Sequence, residues 1–199
     1  GNGGADVVAA GGGNDSVTYR GAEVSLDGGA GTDSLTLAVS GGTTAVDLSV
    51  AAGSDQTTGD SVAVSNFESL DASAVSSALT VTGSSSANTI ATGAGADVID
   101  GKGGADVIVA GGGDDTAHYY ATETSIAGGS GTNTLVLNAA ATVNLANADQ
   151  TSGDSVNVTG FQNIDASGVS AATSLTGTTA ANAIAGGFGA DAIDGAGGA

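Results

Sequence analysis

Small aliphatic residues recur along this chain at two spacings, every second residue and every ninth. Alternation over Ser34–Val39 (SLTLAV), Ser61–Phe67 (SVAVSNF) and Ala78–Gly83 (ALTVTG) predicts short β-strands with one buried face. Elsewhere one large aliphatic stands between small or polar neighbours. Ile90, Ile99 and Ile108 follow each other in this way at nine-residue intervals. Each reads as the inward residue of a very short strand, and the Gly-rich stretches between them read as turns. Such a pattern predicts stacked coils around a thin core repeated many times. No run of 18 apolar residues suggests a membrane helix.

The pattern also repeats on a larger scale. GNGGADVVAAGGGNDSVTY at Gly1 is answered by GKGGADVIVAGGGDDTAHY at Gly101. DQTTGDSVAVSNFESLDASAV at Asp55 is answered by DQTSGDSVNVTGFQNIDASGV at Asp149, and SSANTIATGAGADVIDG, ending at Gly101, by TAANAIAGGFGADAIDG, ending at Gly195. These matches predict one unit over residues 1–100, a second over 101–194 and the opening of a third at 195–199. The units differ by six residues, all between Leu37 and Asp55. The chain reads as a slice of a longer array.

Composition agrees with a thin core. Gly fills 36 of 199 positions, Cys, Pro, Met and Trp are absent, and there are three Tyr and three Phe. Yet 40% of residues are hydrophobic and mean hydropathy is +0.20, which is not the composition of a disordered chain. Twenty-one acids face only Arg20 and Lys102, for a net charge of −19. Phosphate neutralisation needs clustered Lys and Arg, so nucleic-acid binding is excluded, and anionic membrane surfaces are disfavoured. Without Cys there is no disulfide to staple so modest a core, and another staple is expected.

The spacing of the acids supplies one. The nonapeptide Gly-Gly-x-Gly-x-Asp-x-U-x, with U a large aliphatic, is complete as GGAGTDSLT at Gly28–Thr36. The variants TGAGADVID, GKGGADVIV and AGGGDDTAH run without a break from Thr92 to His118. Gly tolerates positive φ, so GGxG bends the backbone tightly and turns carbonyl oxygens towards one point, where the Asp adds a carboxylate. Carbonyls and carboxylates together suit Ca²⁺, which takes six to eight oxygens at about 2.3–2.6 Å.

These stretches, roughly residues 1–36, 83–136 and 177–199, resemble the RTX (repeats-in-toxin, haemolysin-type calcium-binding) family. The resemblance implies an all-β, right-handed parallel β-roll, elongated, in which nine residues make half a coil and calcium sits between turns eighteen residues apart. On that basis Asp97 with Asp115, and Asp15 with Asp33, are the best metal sites. Asp106 with Asn88, and Asp115 with Asn133, are weaker, because Asn lacks the charge. Asp6 faces Val24 and, like Asp191, needs a neighbouring rung to complete its site. Turn carbonyls at Gly28, Gly93, Gly95, Gly101, Gly103, Gly111 and Gly113 complete the ligand set. The middles of the units, where the spacing breaks, are expected to be irregular rungs without calcium.

The resemblance further implies export, unfolded, through a type I secretion channel, then folding outside the cell on calcium. The function expected is structural: a surface layer, adhesin stalk or extracellular filament, with neighbouring repeats or identical subunits as partners. Alternatives are a calcium-binding appendage of a secreted protease, lipase or epimerase, or an ice- or glycan-binding adhesin module. An acid at every ninth position fits an ion ladder better than a single catalytic pair, and His118 has no nucleophile and orienting acid repeating beside it. Asp55, Asp60, Asp149 and Asp154 form either solvated turns bent at Gly59 and Gly153 or an extra cation or lateral contact site. Asp71 and Asp165 satisfy backbone groups at a corner. Tyr19, Tyr119 and Tyr120 are expected to cap rungs or lie outside, and Phe67, Phe161 and Phe188 to plug the core.

Overall fold

A computed structural model describes residues 4–198, so Gly1, which opens the first repeat, and Ala199 lie outside the described residues. Those residues form 22 strands in chain order, most of three or four residues, and no helix. None therefore supplies a helix able to cross a membrane. The expected parallel β-roll is present. β1 (Val7–Ala9) and β3 (Ser25–Asp27) start one sheet, and β2 (Ser16–Tyr19) and β4 (Ser34–Leu37) start a second. Pairing is in parallel register eighteen residues apart, as Val7↔Ser25 and Ser16↔Ser34 show.

The first long coil then visits three sheets. β5 (Ala45–Asp47) and β6 (Thr57–Thr58) open a third sheet, β7 (Ala63–Ser65) ends the first, β8 (Ser69–Asp71) continues the second and β9 (Thr80–Thr82) the third. β10 (Thr89–Ala91), β11 (Val98–Asp100), β12 (Val107–Val109), β13 (Thr116–Tyr119), β14 (Ser125–Ala127) and β15 (Thr134–Leu137) alternate between the second and third sheets. A second long coil repeats the exchange. β16 (Thr142–Asn144) and β17 (Thr151–Ser152) open a fourth sheet, β18 (Asn157–Thr159) ends the second, β19 (Asn163–Asp165) continues the third and β20 (Ser174–Thr176) the fourth. β21 (Ile184–Ala185) and β22 (Ala192–Asp194) extend those last two. The irregular rungs anticipated in mid-unit are thus the places where the roll hands over one of its two faces.

The core is two registered columns. Val17, Leu35, Leu70, Ile90, Ile108, Ile126 and Val158 stack along the second sheet. Val46, Val81, Ile99, Ala117, Leu135 and Ile164 stack along the third, and nearly all of both columns are fully buried. Tyr19 and Tyr119, expected to cap rungs or lie outside, are both buried, because β2 and β13 run one residue longer and place a second side chain inward, two residues after Val17 and Ala117. Phe67 and Phe161 plug the long coils, whereas Phe188 is 84% exposed, because it occupies a turn position of its nonapeptide, equivalent to Ala94, rather than an inward one.

The DQTTGDSV and DQTSGDSV loops are turns with a second duty. Gly59 and Gly153 have φ of 94° and 88°, the left-handed region that favours Gly. Thr57–Thr58 pairs antiparallel with β5, and Thr151–Ser152 with β16, covering the first edge of each new sheet. The same segments close the last edge of the old one. Asp55 Oδ1 accepts the Val64 N–H and Asp60 Oδ1 the Val62 N–H. Gln56 clamps Phe67, accepting its N–H at 2.9 Å and donating to its carbonyl at 2.8 Å. Asp149, Asp154 and Gln150 do the same for Val158, Val156 and Phe161. An open sheet edge is a template for unwanted pairing, and here side chains occupy it.

Candidate metal ladders at the turns

The nonapeptide turns stack so closely that side chains are excluded from parts of them. A Cβ on Gly93 would lie 1.8 Å from the Val75 carbonyl oxygen, and one on Gly129, whose φ is 80°, 1.9 Å from that of Gly111. The stacking carries one acid or amide from each turn onto the next. Along the second sheet, Asp33 Oδ1 accepts the Asp15 N–H and Asp106 Oδ1 the Asn88 N–H, both at 2.7 Å. Along the third, Asp97 Oδ1 accepts the Leu79 N–H, Asp115 Oδ1 the Asp97 N–H and Asn133 Oδ1 the Asp115 N–H, at 2.8–2.9 Å. Asp191 Oδ1 takes the Thr173 N–H on the fourth sheet. The pairings of Asp15 with Asp33, Asn88 with Asp106, and Asp97 with Asp115 and then Asn133 are therefore direct contacts.

Asp33, Asp97, Asp106 and Asp115 each use only one oxygen in this ladder. The Oδ2 atoms of Asp6, Asp15, Asp33, Asp97, Asp106 and Asp115 are buried with no hydrogen-bond partner. Asp33, Asp97, Asp106 and Asp115 are at most 1% exposed, so their charge is out of reach of water. Burial pushes the Asp106 carboxyl up to about 6; the Asn88 N–H acts against this and the Glu123 charge adds to it. Burial also raises Asp115, against the pull of the Asp97 N–H, with the Asp97 and Asp114 charges adding. Asp191 differs: its Oδ2 accepts the Gly187 N–H, and bonds from Thr173 hold its carboxyl low.

The Asn residues are satisfied from within. Asn88 Nδ2 donates to the Glu68 carbonyl at 2.6 Å, and Asn133 Nδ2 to that of Gly160 at 2.9 Å. Of the turn glycines, Gly28 and Gly101 lie against an aspartate Oδ2, that of Asp33 and of Asp106, whereas Gly93, Gly95, Gly111 and Gly113 lie against the backbone of the preceding rung. Gly103 has open space where a side chain would stand.

One acid and one amide in the ladder carry no nonapeptide signature. Glu68 Oε2 accepts the Asp33 N–H at 2.7 Å, and Gln162 Oε1 the Asn133 N–H at 2.7 Å. Both stand two residues before an inward aliphatic, Leu70 or Ile164, as Asp does in Asp-x-U, and that spacing would have found them. Glu23 and Glu123, 5% and 3% exposed, fold the Tyr-x-x-x-Glu turns by accepting the N–H groups of Arg20 and Ala22, and of Tyr120 and Thr122.

Other polar clusters are closed or lined by small residues. The DQT loops knot Asp55 and Asp60 around Thr57, and Asp149 and Asp154 around Thr151. Asp71 and Asp165 accept the N–H groups of Ser73 and Ser167 at corners. His118 Nδ1 lies 2.9 Å from Asn138 Oδ1. A cleft of about 620 Å³ beside Tyr119 is lined mainly by Ala, Ser and Thr, with Asp154 accepting the Tyr119 hydroxyl. In the first half Thr43, from the longer loop there, donates to Asp60 instead and leaves the buried Tyr19 hydroxyl unpartnered.

Among the described residues no three His, Cys, Asp or Glu side chains converge as a metal cluster. A cation at these turns would therefore be held by carbonyls with one or two carboxylates, a hard all-oxygen donor set of the kind Ca²⁺ takes. The buried, unpartnered Oδ2 atoms fit such an ion, since each lacks the positive partner that a buried charge requires. The sequence profile of the RTX calcium-binding nonapeptide repeat matches this chain in four copies, over residues 1–18, 82–117 and 167–199. No curated protein matches it. The repeat is a structural calcium-binding module, not catalytic by itself, and is typical of secreted proteins. Stacked turns, carboxylate ladder and profile agree, and the chain carries RTX calcium-binding nonapeptide repeats over those residues.

Proposed function

We propose that this chain is a calcium-stabilised structural module of a secreted bacterial repeat protein, serving in a surface layer, an adhesin stalk or an extracellular filament. The observation that carries the reading is the set of buried aspartate Oδ2 atoms without partners, repeated rung by rung. Asp97 with Asp115, and Asp15 with Asp33, hold ions together with turn carbonyls, and Asp106 and Asp6 hold others at the ends of their own ladders. Calcium supplies the positive charge that makes stacked carboxylates attractive. Asp Oδ1 holds the backbone of the neighbouring rung, so ligand and rung are ordered together. Ion binding is then folding free energy, and the module stays unfolded where calcium is scarce and folds where it is abundant. Neighbouring repeats or identical subunits are the partners, stacking on strand edges.

Calorimetric calcium titration with circular dichroism in parallel tests this. Expected is cooperative appearance of β-structure with calcium uptake, at roughly 10⁻⁴–10⁻³ M as in extracellular modules, weakened in Asp97→Ala and Asp115→Ala. Full β-structure in chelator, unchanged by added calcium, would overturn it.

A further inference from the structure

The two halves differ chemically where a regular turn meets the long coil. In the second half the carbonyl of Gly160 receives two amide protons, from Asn133 Nδ2 at 2.9 Å and from Gln162 Nε2 at 3.3 Å. In the first half the equivalent carbonyl belongs to Asn66, and both amides are replaced by acids, Asp33 and Glu68. The backbone arrangement is otherwise the same, with Glu68 Oε2 accepting the Asp33 N–H and Gln162 Oε1 the Asn133 N–H, each at 2.7 Å.

The oxygens of the first half are brought together with no hydrogen-bond donor between them. Asp33 is 1% exposed, its Oδ1 is taken by the Asp15 N–H, and its buried Oδ2 has no partner. That Oδ2 and the Asn66 carbonyl oxygen meet above Gly28: a Cβ there would lie 2.9 Å from the first and 2.2 Å from the second. Asn66 is one of the few non-glycine residues at positive φ, 59°. Its side chain fixes it there, donating to Asp27 Oδ1 at 2.7 Å and accepting the Gly53 N–H at 2.8 Å. The carbonyl is therefore held facing the Asp33 carboxylate, an arrangement that repels unless a cation lies against both.

We propose that Asp33, Glu68 and the Asn66 carbonyl form a divalent-cation site, filled by calcium, in the first half only. The site joins a nonapeptide turn to a turn of the long coil, not two turns eighteen residues apart. In the second half the amides of Asn133 and Gln162 do the cation's work with their own protons. One half thus fixes its sheet handover by metal and the other by hydrogen bonds. The inference rests on the calcium reading above.

The test counts ions on the whole chain by calorimetry and equilibrium dialysis with calcium chloride, with circular dichroism confirming the fold in saturating calcium. Glu68→Gln leaves every nonapeptide ligand intact and installs the residue of the second half; it should bind one calcium fewer, or bind one at least tenfold more weakly. The reverse pair, Asn133→Asp with Gln162→Glu, should gain one. A Glu68→Gln protein with the wild-type number and affinities, or a reverse pair that gains no ion, would overturn the site while Asp97→Ala still loses one. A wild-type chain that binds no calcium overturns the calcium reading itself. If Glu68→Gln changes only the pH dependence of folding, a shared proton fills the place and the site is not a metal site.

Discussion

Moving a calcium-free solution from pH 7 to pH 5 should raise the folded fraction of this protein, the reverse of ordinary acid denaturation, and Asp106 sets the size of the effect. Its side chain is fully buried, and its carboxyl is raised from 3.8 to about 6. A carboxyl raised on folding is protonated more readily in the native chain than in the unfolded one. Between the two values the folded state therefore binds more protons, and stability falls as pH rises through that window. At pH 7 the full interval corresponds to a loss of roughly 3 kcal/mol, and at pH 5 about 1.3 kcal/mol of this is recovered, on the order of tenfold in the folding constant. Asp115, raised by the same burial, adds in the same direction. Glu23, held low by backbone N–H groups despite burial, and Asp100, held low beside Lys102 despite burial, keep their contributions until the pH falls below the ordinary carboxylate range. They leave the window clear. The assay is far-UV circular dichroism in calcium-depleted buffers at pH 5, 6 and 7, on wild type and Asp106→Asn. The variant has no proton to exchange at that position and should lose most of the rise. Saturating calcium should reverse the trend, because protons then compete with the cation for the same oxygen. A wild-type folded fraction that stays flat or falls from pH 7 to pH 5 without calcium would refute the reasoning.

Two glycines of the turns should behave oppositely in thermal unfolding with saturating calcium. Gly93→Ala places a methyl 1.8 Å from the Val75 carbonyl that accepts the Ala94 N–H, and should cost about 2–4 kcal/mol; Gly103→Ala meets nothing within 4 Å and should be neutral or stabilising by up to about 1 kcal/mol. Gln150→Leu strips the buried N–H and carbonyl of Phe161 of their partners, as Gln56→Leu does for Phe67. Each should cost about 2–4 kcal/mol in urea denaturation with calcium present, and a loss below about 1 kcal/mol would show that the clamp matters little.

The regular rungs were legible in the sequence because each decision there is local. A nine-residue motif sets its own turn and its own inward residue, so Ile90, Ile99 and Ile108, and the contacts from Asp97 to Asp115 and Asn133, follow from counting. The long coils were not legible in that way. Spacing ahead of Leu70 and Ile164 marks Glu68 and Gln162, but their partners lie 35 and 29 residues away, distances no motif announces, and one extra methylene in each side chain lets a displaced backbone reach the same N–H. Burial of Tyr19 and Tyr119 turned on a single added residue of strand, invisible beside a Gly-rich turn. The exchange of sheets depends on where a chain returning from a long loop meets an older strand, and that is set by the stacked neighbours rather than by the residues that move.

That exchange gives the rod the logic of overlapped planks. The second sheet runs from β2 to β18 and the third from β5 to β21, so each bridges residues on both sides of Gly101, and neither ends where the other begins. Tension along the axis passes from plank to plank by shear across a shared length, not through a butt joint that could part in one step. The seam at each long coil is crossed by one unbroken sheet and fastened on both sides by the same DQT segment. A fastener and an overlap at every seam let strength stay constant however many units are laid end to end.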